Sequence, residues 1–299
     1  MLVFFENYLL MALELIECPR DAMQGIHQFI PTETKVNYLN LLLRAGFHSL
    51  DFGSFVSPKA IPQLADTPEV LNKLNIDGIQ TKLLAIVANQ RGAETACNYK
   101  QIQYIGFPFS ISETFQQRNT NSSIEDSLAT VSAIQNLCIK HGKTLVVYLS
   151  MGFGNPYGDP WNADLLIHWS EKMAQMGIEI LSLSDTIGVG TPASIQSIFS
   201  ELIPALPKIT FGAHLHTTPD TWEEKVVAAW EGGCRRFDGA IKGFGGCPMA
   251  ADSLTGNMPM ENVLAYLDAK SINHGINRAV FEEAMLMANA VFPVETLHP

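Results

Sequence analysis

Short apolar runs alternate with longer amphipathic stretches along almost the whole of this chain. Eight of the runs read as strands, over residues 13–18, 49–52, 82–87, 104–107, 144–149, 178–183, 209–213 and 236–240. Many are nearly continuous in apolar character, as expected of parallel strands covered on both faces. The stretches between them carry helix signals. Residues 34–45 place apolar side chains near helical spacing. Residues 122–141 open on Ser-Ser-Ile-Glu-Asp, a capping-type start, and stop at Gly142. Residues 163–176 stop at Gly177, Thr191-Pro192 opens another helix with proline in its first turn, and residues 220–231 end at Gly232-Gly233. Strand and helix alternating eight times predict a single α/β domain, a (β/α)8 TIM barrel, over a doubly wound sheet.

The length of 299 residues suits one such barrel of about 250 residues with trimmings. Residues 1–10, MLVFFENYLL, lack the basic leading region and small-residue cleavage site of a signal peptide. Met11 begins MALELIECPRD, which reads like a natural start, so 1–10 is expected to be an extension and 11–299 the catalytic barrel. No apolar run reaches the roughly 18–20 residues that span a membrane. A net charge of −11 repels phosphate backbones and argues against a nucleic-acid partner, while leaving room for a small anion wherever basic residues gather. Five scattered cysteines, Cys18, Cys97, Cys138, Cys234 and Cys247, do not read as a disulfide framework and fit a reducing cytoplasm.

In a barrel, chemistry belongs to the loops that follow the strands. Those positions hold Cys18-Pro19-Arg20-Asp21, Ser54 to Lys59, Ser184-Asp185-Thr186 before Gly188-Val189-Gly190, His214-Leu215-His216, and Lys242 to Pro248 followed by Gly256-Asn257. His214 and His216 are two apart on a strand, so both imidazoles face one side and can reach one point, as metal ligation requires. An isolated His-x-His can also be a simple hydrogen-bonded pair. Asp21 and Asn257, expected at the neighbouring ends of strands one and eight, would add oxygen ligands. Two imidazoles and two oxygens leave room for substrate in a six-coordinate site suited to Mg²⁺ or Mn²⁺. Arg20 at the first strand end can stabilise a developing oxyanion. Cys247, carried among glycines, is placed to deliver a proton or close over a substrate.

These motifs together resemble the 3-hydroxy-3-methylglutaryl-coenzyme A lyase family, within the wider group of metal-dependent barrel lyases and Claisen-type synthases. The resemblance runs from about Leu13 to Ala290. It rests on Pro19-Arg20-Asp21 with Gln24; Ser54-Phe55-Val56-Ser57-Pro58-Lys59; Ser112-Glu113 with Asn119, Asn121 and Ser123-Ile124-Glu125; Asp185 to Pro192; His214-x-His216; Gly245-Gly246-Cys247-Pro248; and Gly256-Asn257 with Glu261. It implies cleavage of hydroxymethylglutaryl-CoA to acetyl-CoA and acetoacetate. It further implies a divalent cation on Asp21, His214, His216 and Asn257, with Asp21 or His214 as base, Arg20 on the enolate oxygen and Cys247 as acid or loop closure. Asp51, Ser54 and Asp185 match supporting polar positions, and Gln24, Asn119 and Glu261 join the expected substrate-binding set. Lys59, Arg118 and Lys242 are candidates for the CoA phosphates, and a homodimer is the expected assembly.

Four departures from the family pattern bear on the substrate. Gln24-Gly25-Ile26 stands where relatives carry Gln-Asn-Glu, Thr217-Thr218 where Asp-Thr usually follows the histidines, Asp51 where glutamate is usual, and Asp238-Gly239-Ala240 where Asp-Ser-Ser is usual. Lost carboxylates around metal ligands can alter histidine orientation or metal affinity. A condensing synthase or an aldolase of the same group is an alternative enzyme. A degenerate barrel that binds metal or CoA thioester without turnover is the alternative of another class.

Overall fold

A computed structural model describes residues 12–246 and 255–292 of the chain. The proposed extension at 1–10 and Cys247 lie outside the described residues. The eight expected strands are present: β1 (Glu14–Glu17), β2 (Ser49–Ser54), β3 (Lys82–Ile86), β4 (Ile102–Ser110), β5 (Thr144–Ser150), β6 (Ile180–Asp185), β7 (Thr210–Thr217) and β8 (Arg236–Gly239). Each pairs in parallel with the next, and β1 pairs with β8, Glu14 lying opposite Arg236 and Ile16 opposite Asp238. The sheet therefore closes into the expected TIM barrel. A two-residue strand, β9 (Gly256–Asn257), runs antiparallel to β7 and sets Asn257 opposite His216.

Eleven α-helices surround the sheet among the described residues: α1 (Pro19–Gln24), α2 (Thr32–Ala45), α3 (Thr67–Lys73), α4 (Gln90–Cys97), α5 (Glu113–Thr120), α6 (Ile124–His141), α7 (Ala163–Gln175), α8 (Pro192–Ala205), α9 (Trp222–Glu231), α10 (Met260–Ala269) and α11 (Arg278–Val291). Their ends follow local chemistry. The Ser123 side chain accepts the Asp126 amide at the start of α6, and Gly142 ends that helix in a left-handed conformation at φ 64°. Thr191 and Ser194 form a reciprocal capping box before α8, with Pro192 in the first turn. No helix among the described residues is long and apolar enough to cross a membrane.

Strand alternation divides the interior into two layers. Phe211, Ala213, Leu215 and Phe237 belong to the apolar layer between strands and helices. Their neighbours Gly212, His214, Arg236 and Asp238 are thereby turned toward the barrel axis. Inside the barrel, Leu84, Ile86, Tyr104, Val146, Tyr148 and Ile180 form a separate apolar plug. That plug closes the lower barrel and leaves the carboxyl ends of the strands as the open face.

Candidate active site

Five strands run further toward that face than their apolar runs predict, ending at Ser54, Ser110, Ser150, Asp185 and Thr217. Polar side chains interrupt the hydrophobic pattern there while backbone pairing continues, as between Ser110 and Ser150 and between Asp185 and Leu215. The residues between Cys18 and Gln24, expected as loop, form the short helix α1 with Pro19 at its start. Its first turn brings the buried Arg20 and Asp21 to the mouth of a cleft of 380 Å³. Gln24, Asn119, Tyr148, Thr186, His214 and His216 also line this cleft.

One ligand atom from each of Asp21, His214 and His216 lies within 4.8 Å of the others. The far side of each imidazole is tied. His214 Nδ1 donates to Asp238 Oδ2 at 3.1 Å, and His216 Nδ1 donates to the Thr186 carbonyl at 2.8 Å, since a carbonyl can only accept. Each ring therefore keeps its Nε2 lone pair for the cleft. His216 Nε2 is buried and has no hydrogen-bond partner among the described residues. A cation supplies what that orphaned acceptor lacks, so the residues fit a divalent metal. Asn257 donates to Asp21 Oδ2 at 2.7 Å and to the Phe244 carbonyl at 2.8 Å, which places its amide beside the same carboxylate. It reaches that point from β9 rather than from the end of β8.

Cys18, His214 and Asp238 form a second close group. The His214–Asp238 hydrogen bond already occupies it, and burial, with the neighbouring carboxylates, raises the Cys18 thiol well above its ordinary value. A protonated thiol is a poor ligand. Burial alone would raise the Asp21 carboxyl, but Arg20 and the two histidines outweigh it and hold the group low. For His214, burial pulls down and the Asp238 hydrogen bond and charge pull up, with a net rise. His216 is lowered, by burial and by the neighbouring His214. Protons and cations thus compete at His214.

Arg20 organises the rim. Its Nε donates to both oxygens of Asp51 at 3.2 and 3.0 Å, and its Nη2 donates to Asp51 Oδ2 at 2.5 Å. Its Nη1 donates to Asp21 Oδ1 at 2.9 Å and to Gln24 Oε1 at 2.8 Å. Of the five N–H groups of a guanidinium, one on Nη2 has no acceptor among the described residues and is left for a ligand.

A family model described as HMGL-like matches residues 14–287. The chain belongs to the HMGL-like family. Among its relatives, a hydroxymethylglutaryl-CoA lyase of Bacillus subtilis is 34% identical over 258 residues, covering 86% of this chain and 85% of the relative. Among solved structures, hydroxymethylglutaryl-CoA lyase from Pseudomonas aeruginosa superimposes with a TM-score of 0.88 at 30% identity, covering 95% of this chain and 94% of that one. An HMG-CoA lyase from Acinetobacter baumannii, in complex with coenzyme A and 3-methylmalate, gives a TM-score of 0.87 at 27% identity, with 94% and 91% covered.

Within this HMGL-like barrel the remaining candidates divide by position. Gln24 and Asn119 line the cleft, whereas Asp51, Ser54, Asp185, Lys242 and Glu261 do not. Asp51 is fully buried and spends its carboxylate on Arg20. Ser54 accepts the Val56 amide and shapes the loop after β2. Asp185 accepts from the Gly190 amide and the Lys225 ammonium, facing the turn after β6 instead of the Asp21, His214 and His216 cluster. Glu261 accepts the Lys242 amide, and the Lys242 ammonium donates to Asn289. These residues support the site's framework. Lys59 and Arg118 are exposed, each next in sequence to a cleft-lining residue, Ala60 and Asn119. Three supporting groups escaped the sequence reading: the Thr186 carbonyl, Asp238 as the partner of His214, and Lys225. Strand register would have found Asp238, which lies directly opposite His214. No sequence signal marks Lys225.

Proposed function

We propose that this chain is a metal-dependent carbon–carbon lyase that cleaves 3-hydroxy-3-methylglutaryl-CoA to acetyl-CoA and acetoacetate. The observation that carries the reading is the convergence of Asp21, His214 and His216 on one point beside Arg20, in a chain of the HMGL-like family. Asp21, His214, His216 and Asn257 would hold Mg²⁺ or Mn²⁺. A divalent ion there would act as a Lewis acid and template for the substrate's tertiary hydroxyl and distal carboxylate. With both Nδ1 atoms tied back, each histidine has a single free lone pair, which ligation would use. The base that takes the hydroxyl proton would be Asp21 or His214, both of which stand at the converging point. The free Nη2 hydrogen of Arg20 suits the enolate oxygen that develops on the thioester as the bond breaks. Cys247 is the candidate acid that returns a proton to the departing acetyl carbon, or closes the loop.

The reading extends to an acyl-CoA substrate, a homodimeric assembly, a cytoplasmic location and leucine breakdown as the source of substrate. Coenzyme A bound to the Acinetobacter baumannii relative supports the thioester. The decisive assay mixes purified protein with hydroxymethylglutaryl-CoA and Mg²⁺ or Mn²⁺ and measures acetoacetate. Product formation that ceases on chelation is expected. Intact metal binding without acetoacetate overturns the substrate assignment, and the Thr217 and Gly25-Ile26 departures then direct the search to other 3-hydroxyacyl-CoA thioesters.

A further inference from the structure

Lys225 lies on the outer helix α9, yet its side chain is only 2% exposed. Its ammonium donates to Asp185 Oδ2 at 2.6 Å, to the Gly188 carbonyl at 2.8 Å and to the His216 carbonyl at 3.0 Å. Three donors meet three acceptors, and none is wasted on solvent. Asp185 uses its other oxygen to accept the Gly190 amide at 3.0 Å, so the turn after β6 is drawn closed around the ammonium.

The target of this arrangement is the metal-ligand region. Thr186, inside the same turn, carries the carbonyl that receives His216 Nδ1. Lys225 therefore grips His216 twice, through its own carbonyl and through the segment that orients its ring. Gly188 lets the turn pass close to β7: it has φ +72°, and a Cβ there would sit 3.4 Å from the His216 carbonyl and 2.8 Å from a Thr255 methyl. Anchoring α9 alone does not call for a lysine. Burying an ion pair is costly, and a well-packed apolar residue would hold the helix at least as well.

We propose that Lys225 is a positioning residue for the metal centre, fixing the turn after β6 against β7 and so holding the His216 ring with Nδ1 protonated and Nε2 aimed into the cleft. The inference rests on the metal-centre reading above. Its first consequence is a metal affinity that depends on a residue outside the ligand set. Its second is a tautomer preference present before any metal binds.

Both are measured on the full chain with Lys225→Met, with Asp185→Asn/Lys225→Met, which leaves no unpaired buried charge, and with Val131→Ala, a core truncation on α6, as a stability control. Mn²⁺ affinity is read by calorimetry, and the His216 tautomer by ¹⁵N-histidine NMR of metal-free protein, the signal being assigned with His216→Ala. Both Lys225 variants should bind Mn²⁺ about ten- to a hundredfold more weakly and lose the Nδ1–H preference. Val131→Ala should lower the melting temperature and change neither. Parent-like affinity and tautomer in the double variant overturn the proposal, as does an equal affinity loss in Val131→Ala. If the parent binds no Mn²⁺, the metal reading falls, and the tautomer measurement alone decides whether Lys225 positions His216.

Discussion

Arg20 has four of its five N–H groups committed, and two of those go to Asp51. Burial pushes the Asp51 carboxyl up to about 6, against the pull of the adjacent guanidinium. As pH falls through that value Asp51 takes up a proton, and Arg20 loses its main anchor. The acid limb of kcat/KM should therefore contain a step near pH 6 that Asp51→Asn lacks, the variant being slower by about ten- to a hundredfold at neutral pH, because a guanidinium free to drift stabilises an oxyanion poorly. A pH–rate profile checks this, and an unchanged limb in Asp51→Asn assigns the step to another group. The histidine pair was legible because a period of two on a strand fixes which way both rings face. The groups that orient the rings were not, since Asp238 and Thr186 meet them across 24 and 30 residues of chain. Lys225 follows Glu223 and Glu224 on an apparent surface helix, and only the fold reveals that it points inward.

Five of the eight strands were legible in their middles and blurred at their working ends. Apolar runs mark where a strand is covered on both faces, and they stop where the barrel opens and serine, aspartate and threonine take over. The function-bearing residues thus sit just beyond the part of each element that hydrophobic pattern can detect. Asn257 is the extreme case, arriving on β9, too short at two residues to leave a pattern. Asn257 and α1 also meet at Gly245, which makes a close approach to both. That residue has φ +90°, and a Cβ there would come within 2.8 Å of both the Ala22 Cα and the Asp21 carbonyl, which are backbone atoms of α1 and cannot swing aside. Gly245→Ala should displace the adjoining Phe244 carbonyl from Asn257. The expected result is a loss of about 1–3 kcal/mol in denaturant unfolding, from the strained conformation and the clash. About tenfold weaker Mn²⁺ binding should accompany it, because Asn257 and Asp21 are no longer held together. Weakened folding with parent-like Mn²⁺ affinity would separate Gly245 from the metal centre.

At the scale of the molecule, a chain of net charge −11 has to admit a polyanionic thioester if the lyase reading holds. Long-range repulsion slows such an encounter and is screened by salt, so local cations at the cleft mouth must offset it. Lys59 and Arg118 meet that requirement by position: both are exposed, Lys59 in the turn after β2 and Arg118 in the last turn of α5, and each adjoins a residue of the cleft wall. Arg118 also lies over the Tyr157 ring at 4.7 Å, which restricts where its guanidinium can reach. Lys242 is less free, since its ammonium is engaged by Asn289 on α11. Exposed charge contacts of this kind contribute roughly 0.5–1 kcal/mol each. Lys59→Ala and Arg118→Ala should accordingly raise KM for hydroxymethylglutaryl-CoA about two- to fivefold each and leave kcat unchanged, because the contacts are made equally in the ground and transition states. Salt weakens that local attraction and so raises KM, and the double variant, which lacks it, should show a smaller rise or a fall as ionic strength increases. Steady-state kinetics across a salt series tests this directly. A parent-like KM in the double variant would place the CoA phosphates on another part of the rim, whereas a fall in kcat at constant KM would mean that these cations act on the reacting end of the substrate.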